Sequence, residues 1–325
     1  MRTLHRREAA AALLALPALA LGRPAAAQNS RPVRVVVPAA PGGAIDVIGR
    51  IYATRLSEKT GSPWVTENRS GANNTVGAAE VARSAPDGKT LLINADIQLM
   101  AKRVMRAVPY DPITDFTPVA RLATAPLVLV GNPAGTPNGD LGALVAAMKA
   151  APDKFAFANS ALGSMGHLST ESFKRRAGLD TLVVSYRGTA PALTDVLAGQ
   201  TALMVAPLGS ALPHLRADRL RAFAVFSPNR SAQAPEIPTT AEAGMPDLQF
   251  TLWYGLWGPK GMPAEVVNAL NAAVREVGAE PAIRARLTEQ GADPVDEDAA
   301  GFARFIGTEA ERNGRVAQEA GIEPE

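Results

Sequence analysis

An alternation of two patterns most constrains what this chain can fold into. Short apolar runs of strand length recur along it, each followed by a stretch whose apolar residues repeat at helical spacing. Val33–Val37, Trp64–Glu67, Leu91–Asn94, Leu127–Val130, Phe155–Ala158, Leu182–Ser185, Ala202–Val205, Ala222–Phe226 and Trp253–Gly258 read as strands. Ile45–Lys59, Thr75–Ser84, Leu141–Ala150, His167–Arg176, Ala190–Ala198, Ala264–Val277, Ala282–Gln290 and Ala299–Ala320 read as helices. Strands in regular alternation with helices predict an α/β fold built on a parallel sheet, and 325 residues are enough for two domains.

Two stretches read as crossings between those domains: 115–133, an extended apolar segment, and 227–250, rich in Pro and Ala. A chain that crosses twice makes the first domain discontinuous, with residues 28–130 and 249–325 in one domain and 131–248 in the other. Two crossings make a hinge, and in such folds the cleft at the carboxyl ends of the strands takes the ligand.

The first 27 residues stand apart. Arg2, Arg6 and Arg7 precede an Ala/Leu run from Ala9 to Leu21, and Ala25, Ala26 and Ala27 form a small-residue cleavage pattern. This is an export signal, too short and too Ala-rich for a membrane span, and Arg6-Arg7 leaves both the general secretory and the twin-arginine routes open. Residues 1–27 carry four Arg and one Glu, so the whole-chain charge of +2 becomes −1 once they are removed. That balance gives no basis for a nucleic-acid partner. The absence of cysteine excludes disulfides and thiolate chemistry. No later stretch is apolar enough to embed the chain in a membrane.

Several strand-to-helix loops carry the same chemistry. At Pro41-Gly42-Gly43 a strand ends and a helix opens with almost no side chain in the way, so backbone N–H groups and the positive helix end can approach an anion. Asp46 falls in that helix's first turn, where the dipole favours a carboxylate. Asn68 to Gly77, which includes Asn73, Asn74 and Thr75, joins a strand to a helix through Gly, Asn and hydroxyl groups. Asn159 to Gly166 offers Ser160, Gly163 and Ser164, and Ser164 is equally an N-cap. Ser185 to Pro191 offers Tyr186, Arg187, Gly188 and Thr189, with Thr189 expected as the cap. Four such loops divided between two domains predict a shared polar cleft with few charges, suited to a small carboxylate.

Catalytic readings fare worse. Once residues 1–27 are removed, His167 and His214 are the remaining histidines, and neither belongs to a cluster at metal-ligand spacing, so no metal, cofactor or catalytic residue is assigned. A nucleophile elbow needs Gly-x-Ser-x-Gly. Leu162 takes the place of the first Gly at Gly163-Ser164-Met165-Gly166, and Leu208-Gly209-Ser210 also misses the motif. His167 falls on a buried helix face and is expected to be structural. Gly88-Lys89-Thr90 resembles the end of a phosphate loop but leads into a strand, so Pro86-Asp87-Gly88 reads as a tight turn.

The segments VVVPAAPGGAIDVIGR, ENRSGANNTVGAAEVARSAPDGKTLL, YDPITDFTPVA, NSALGSMGHLSTESFK, VSYRGTAPALTDVLAGQ, IPTTAEAGMPDLQ and WYGLWGPKGMPAEVVNALN, in this order, resemble the tripartite tricarboxylate transporter solute-binding receptors, the Bug or TctC family. The resemblance implies a type II periplasmic binding-protein fold, with two doubly wound α/β domains joined by a two-crossing hinge. It also implies a monomeric periplasmic receptor, without cofactor, that captures a small organic carboxylate and delivers it to membrane permease subunits. It places the ligand against Pro41, Gly42, Gly43, Asp46, Asn73, Asn74 and Thr75 on one side. On the other side it places Ser160, Gly163, Ser164, Tyr186, Arg187, Gly188 and Thr189. Ala39 stands where many relatives carry an aromatic residue, which predicts an enlarged pocket. Two alternatives keep part of this reading: presentation of the ligand to a membrane sensor kinase, and a periplasmic hydrolase using Ser164 or Ser210.

Overall fold

Val35, Val36 and Val37 are wholly buried, so each contributes about 1.5–3 kcal/mol of apolar burial and the first strand lies inside the sheet. The computed structural model describes residues 31 to 324 of the chain. The proposed export signal at 1–27 lies outside the described residues.

The first strand β1 (Val33–Val37) pairs in parallel with β2 (Trp64–Asn68) and β3 (Thr90–Ala95). Helices α1 (Ala44–Thr60) and α2 (Thr75–Ala82) connect them, as the periodicity predicts. The next helix, α3 (Ile97–Val104), was not expected: it is eight residues long and follows β3 after one residue.

The extended crossing expected at 115–133 is one long strand, β4 (Phe116–Gly131), which contains the predicted strand Leu127–Val130 and begins well before it. Its first part pairs antiparallel with β9 (Thr251–Pro259) as far as Pro126↔Thr251. From Leu127 it pairs antiparallel with β7 (Leu203–Pro207), and from Val128 with β8 (Arg221–Val225). The chain returns alongside: Phe226 N–H donates to Leu127 O at 2.8 Å, and Phe250 N–H to Phe226 O at 2.9 Å, just before β9 begins. The two connections thus run side by side, one hydrogen bond apart.

Beyond β7 the sheet continues in parallel through β5 (Ala156–Asn159) to β6 (Leu182–Ser185), giving the order β2-β1-β3-β9-β4-β7-β5-β6. The short β10 (Asp293–Pro294) pairs with β4. The sheet is therefore mixed rather than parallel throughout, because the crossing strand β4 and the return strand β9 must run against each other.

Helices α4 (Leu141–Ala150), α5 (Met165–Ala177), α6 (Thr189–Leu197) and α7 (Leu208–Arg216) belong to the strand set of β5 to β8. Helices α8 (Ala264–Ala279), α9 (Pro281–Glu289) and α10 (Ala299–Glu319) follow β9. Trp253 and Trp257 of β9 pack against Phe302 of α10, with centroids 5.9 and 5.5 Å away, and lock that helix to the sheet. On α1, the buried Tyr52 hydroxyl donates to Leu122 O of β4 at 2.7 Å. The result is an α/β fold, as the alternation of strands and helices predicts, on a sheet that is mixed rather than parallel.

Candidate functional site

The first-turn N–H groups of an α-helix have no acceptor within the helix, and something outside it must satisfy them. Ser164 does so for α5, accepting the His167 N–H at 3.3 Å, and Asp140 and Asp298 do so for α4 and α10. The residues preceding α1 and α7 are Gly43 and Pro207, and neither provides a side-chain cap. These two helix starts, one from each strand set, open onto one cavity of about 140 Å³. Gly42, Ala44, Val47 and Ile48 line it from the α1 side, and Pro207, Gly209 and Ser210 from the α7 side. Tyr254 of β9 and Gln290 complete the wall. The Tyr254 phenol is pushed up by burial and by the nearby Asp96, so it stays protonated at neutral pH. No cationic side chain lines the cavity, so an anion here would be held by helix ends and dipoles alone.

The loop before α1 is fixed from behind. Asp46 is 2 % exposed, and its Oδ2 accepts the Gly42 N–H at 2.9 Å. Arg50 Nε donates to both carboxylate oxygens at 3.0 and 2.9 Å, and Asn68 Nδ2 donates to Oδ1 at 2.9 Å. Burial pushes the Asp46 pKa up, but the bonds from Arg50, Gly42 and Asn68 outweigh it and hold the group below the usual carboxylate range. Asp46 thus bears on the cavity through the shape it imposes at Gly42.

The loop before α2 has four successive residues at positive φ: Gly71 (138°), Ala72 (42°), Asn73 (51°) and Asn74 (69°). Left-handed backbone at non-glycine residues costs of order 1 kcal/mol each and persists where the surroundings enforce it. Asn73 is the connection that matters: its Nδ2 reaches across to Leu162 O of the loop before α5, at 2.9 Å. Asn74 Nδ2 donates to Asn94 Oδ1 at 3.3 Å, and Thr75 Oγ1 to Ala72 O at 2.7 Å.

In the second strand set, the loops before α5 and α6 lie together, since Gly188 N–H donates to Ser160 O and Tyr186 N–H to Asn159 O, both at 2.8 Å. Much of their polarity is already used. Gly163 N–H donates to His167 Nδ1 at 3.1 Å, which makes the histidine an acceptor that fixes the loop. Burial, with Lys174 adding to it, pushes His167 down to about 4, so it is neutral at physiological pH. The Tyr186 hydroxyl donates to Asp195 at 2.6 Å, and Arg187 points to solvent. Gly188, at φ 116°, caps α6, and Thr189, expected as the cap, is the first helical residue. Among the described residues Ser164 has no histidine ring as partner, and Ser210 sits in the cavity wall while His214 pairs with Arg219.

The predicted residues are thus placed unevenly. Gly42 lines the cavity, with Pro41 and Gly43 on either side of it. Asn73 ties the two strand sets together, and the residues before α5 and α6 lie against each other but are not among those that line the cavity. The α7 start, Tyr254 and Gln290 were missed, although Ala206-Pro207-Leu208-Gly209 repeats the strand–proline–glycine–helix pattern of the opening loop. Ala39, where an enlarged pocket is expected, is not among the residues that line this cavity.

Residues 48–322 match the family described as the tripartite tricarboxylate transporter family receptor, TctC. The chain belongs to the TctC family. Members of this family are substrate-binding receptors and not enzymes, and the hydrolase reading ends there. This TctC-family receptor is 37 % identical to Protein BugT of Bordetella pertussis over 294 residues, 90 % of each chain. Its structure is similar to that of an R. palustris protein solved with adipate (TM-score 0.85, 35 % identity, 91 % of this chain and 99 % of that one). It is also similar to MatC from Rhodopseudomonas palustris with bound malate (TM-score 0.79, 32 % identity, 88 % and 98 %). Among the described residues, no helix of the receptor is long and apolar enough to cross a membrane.

Proposed function

We propose that this receptor captures a small organic carboxylate between the N-termini of α1 and α7, closes over it, and delivers it to a tripartite tricarboxylate-type permease. One observation carries the reading: two helix starts without side-chain caps, one from each strand set, face a single cavity whose lining contains no cation. Charge-assisted hydrogen bonds to backbone N–H groups are worth about 1.5–3 kcal/mol each, so three or four reach micromolar affinity. Asn73, Asn74 and Thr75 on one side, and Ser160, Gly163, Ser164, Tyr186, Arg187, Gly188 and Thr189 on the other, form the rim that meets on closure. Adipate and malate in the structures of relatives support a carboxylate as the ligand.

In this reading residues 28–130 with 249–325, and residues 131–248, move as two bodies. The change of pairing partner at Pro126–Leu127, beside the returning Phe226 and Phe250, supports a hinge at that point. Residues 1–27 direct export to the periplasm. A thermal-shift screen of the purified exported protein against carboxylates, amino acids and neutral solutes tests the function, because a ligand that binds only the folded state raises Tm. A shift confined to carboxylates supports it, and a shift produced by neutral solutes alone refutes it.

A further inference from the structure

A hydroxyl taken out of water needs a partner, because an unpaired buried O–H loses the hydrogen bonds that water gave it. The Tyr52 hydroxyl meets that demand at Leu122 O, and the Tyr186 hydroxyl at Asp195. Tyr254 does not: it is 3 % exposed, and among the described residues its hydroxyl has no hydrogen-bond partner. Tyr110 is likewise buried and unpartnered, but it is not among the residues that line the cavity, and Tyr254 is.

The strand sets the direction of this side chain. Trp253 and Trp257 pack on Phe302 of α10, so the alternation of β9 turns Tyr254 to the opposite face. Its register partners are Ala95 on β3 and Ala123 on β4, both buried, and neither side chain has a polar atom to offer the phenol. Asp96, whose charge acts on the phenol, is engaged elsewhere. It is 2 % exposed and its Oδ2 accepts the Met165 N–H at 2.6 Å, so a side chain of the first strand set caps α5 of the second. The phenol stays protonated at neutral pH and is therefore available as a donor. The other polar side chains of the wall are Ser210, which is half-buried, and Gln290, which is exposed, and both are within reach of solvent.

A ligand seated between the α1 and α7 starts displaces water from this wall. An alkyl tail would leave the Tyr254 hydroxyl unpaired, whereas an oxygen on the tail pairs it. Sites that hydrogen-bond a ligand group reject analogues lacking that group far more strongly than apolar pockets reject a change in size. Building on the function proposed above, we infer that the ligand carries an oxygen acceptor on the tail opposite its carboxylate, a hydroxyl, oxo or second carboxyl oxygen, and that Tyr254 is the specificity-determining residue that recognises it. The carboxylate is held by backbone N–H groups, which any carboxylic acid satisfies, and the choice among acids falls to the one buried side-chain donor in the wall.

Calorimetry on the purified exported protein tests this, with 4-hydroxybutyrate and succinate set against butyrate, and 4-oxovalerate and glutarate against valerate. The tightest of the oxygenated acids should bind at least about tenfold more tightly than its alkyl counterpart. Tyr254→Phe should weaken that acid at least about fivefold while leaving the alkyl acid within about twofold, and should remove most of the tyrosine difference absorbance that binding produces in the wild type. Because the hydroxyl has no partner among the described residues, the same substitution should leave the unliganded Tm unchanged or slightly higher. An alkyl acid that binds as well as its oxygenated counterpart, or a loss in Tyr254→Phe that is equal for the two or absent from both, would overturn the inference while leaving the carboxylate receptor intact. A fall of several degrees in the unliganded Tm would overturn it as well, since the hydroxyl would then serve the fold. Failure of every acid to bind would remove both readings.

Discussion

Gly209→Ala separates the proposed closure of two bodies from the folding of either one. A Cβ at Gly209, in the first turn of α7, would collide with Gln290 O and lie 2.9 Å from Gly291 N, backbone atoms just after α9 and, in the proposed division, on the other body. Backbone cannot swing aside, so the methyl group is relieved only by parting the bodies. Overpacking of this kind costs about 1–3 kcal/mol. At 1.4 kcal/mol per tenfold, ligand affinity should fall about five- to a hundredfold. With the proposed hinge the unliganded protein would escape the clash by opening, and alanine is a better helix former than glycine by up to about 1 kcal/mol, so its Tm should hold or rise slightly. Calorimetry with the best carboxylate from the screen, together with thermal melts without ligand, reads both quantities. Unchanged affinity would refute closure at this contact, and a fall of several degrees in the unliganded Tm would show that the contact belongs to the resting fold.

Three further outcomes follow from the site. Asn73→Ala removes the bond to Leu162 O, worth about 1 kcal/mol, and should weaken ligand affinity about fivefold while leaving the unliganded Tm within a degree or two. Asp46→Asn should lower stability by about 2–3 kcal/mol in urea melts, because Gly42, Arg50 and Asn68 all donate to the carboxylate. The Asp46 pKa is depressed in the fold, so its contribution is present above the unfolded value of 3.8 and is lost as pH falls through the folded value. A mutant–wild-type difference that does not shrink on acidification would count against that. For Asp96 the sign reverses. Its pKa is raised from 3.8 to about 7, so stability falls as pH rises between those values, by up to about 1.4 kcal/mol per unit, and Asp96→Asn should flatten that slope in melts across the range.

The legible parts of the fold were those that carry their own periodicity. The wholly buried run Val35 to Val37 and the helical spacing of Ile48, Tyr52 and Leu56 sufficed to place β1 and α1. Helix α7 was hidden because its nine residues include Gly209 and Pro213, both of which oppose a helical assignment locally. The reach of β4 was hidden because Pro118 and Pro126 interrupt a segment that pairing with β9 makes continuous. The same division holds for the site. The Pro41-Gly42-Gly43 tip follows from a strand running into a helix, whereas the capping of α5 by Asp96 joins residues 69 positions apart and leaves no local trace. Ser164, legible as both cap and ligand group, is committed to His167 N–H in the folded chain.

The measurement that bears most directly on the account is a crystal structure of the receptor with the strongest carboxylate from the screen. The account predicts carboxylate oxygens within about 3.2 Å of first-turn backbone nitrogens of both α1 and α7, with Tyr254 against the tail and the Asp96–Met165 bond in place. A carboxylate bound at the start of α5, with Asp96 displaced, or one bound to the loops before α5 and α6 while the α1 and α7 starts face only water, would contradict it.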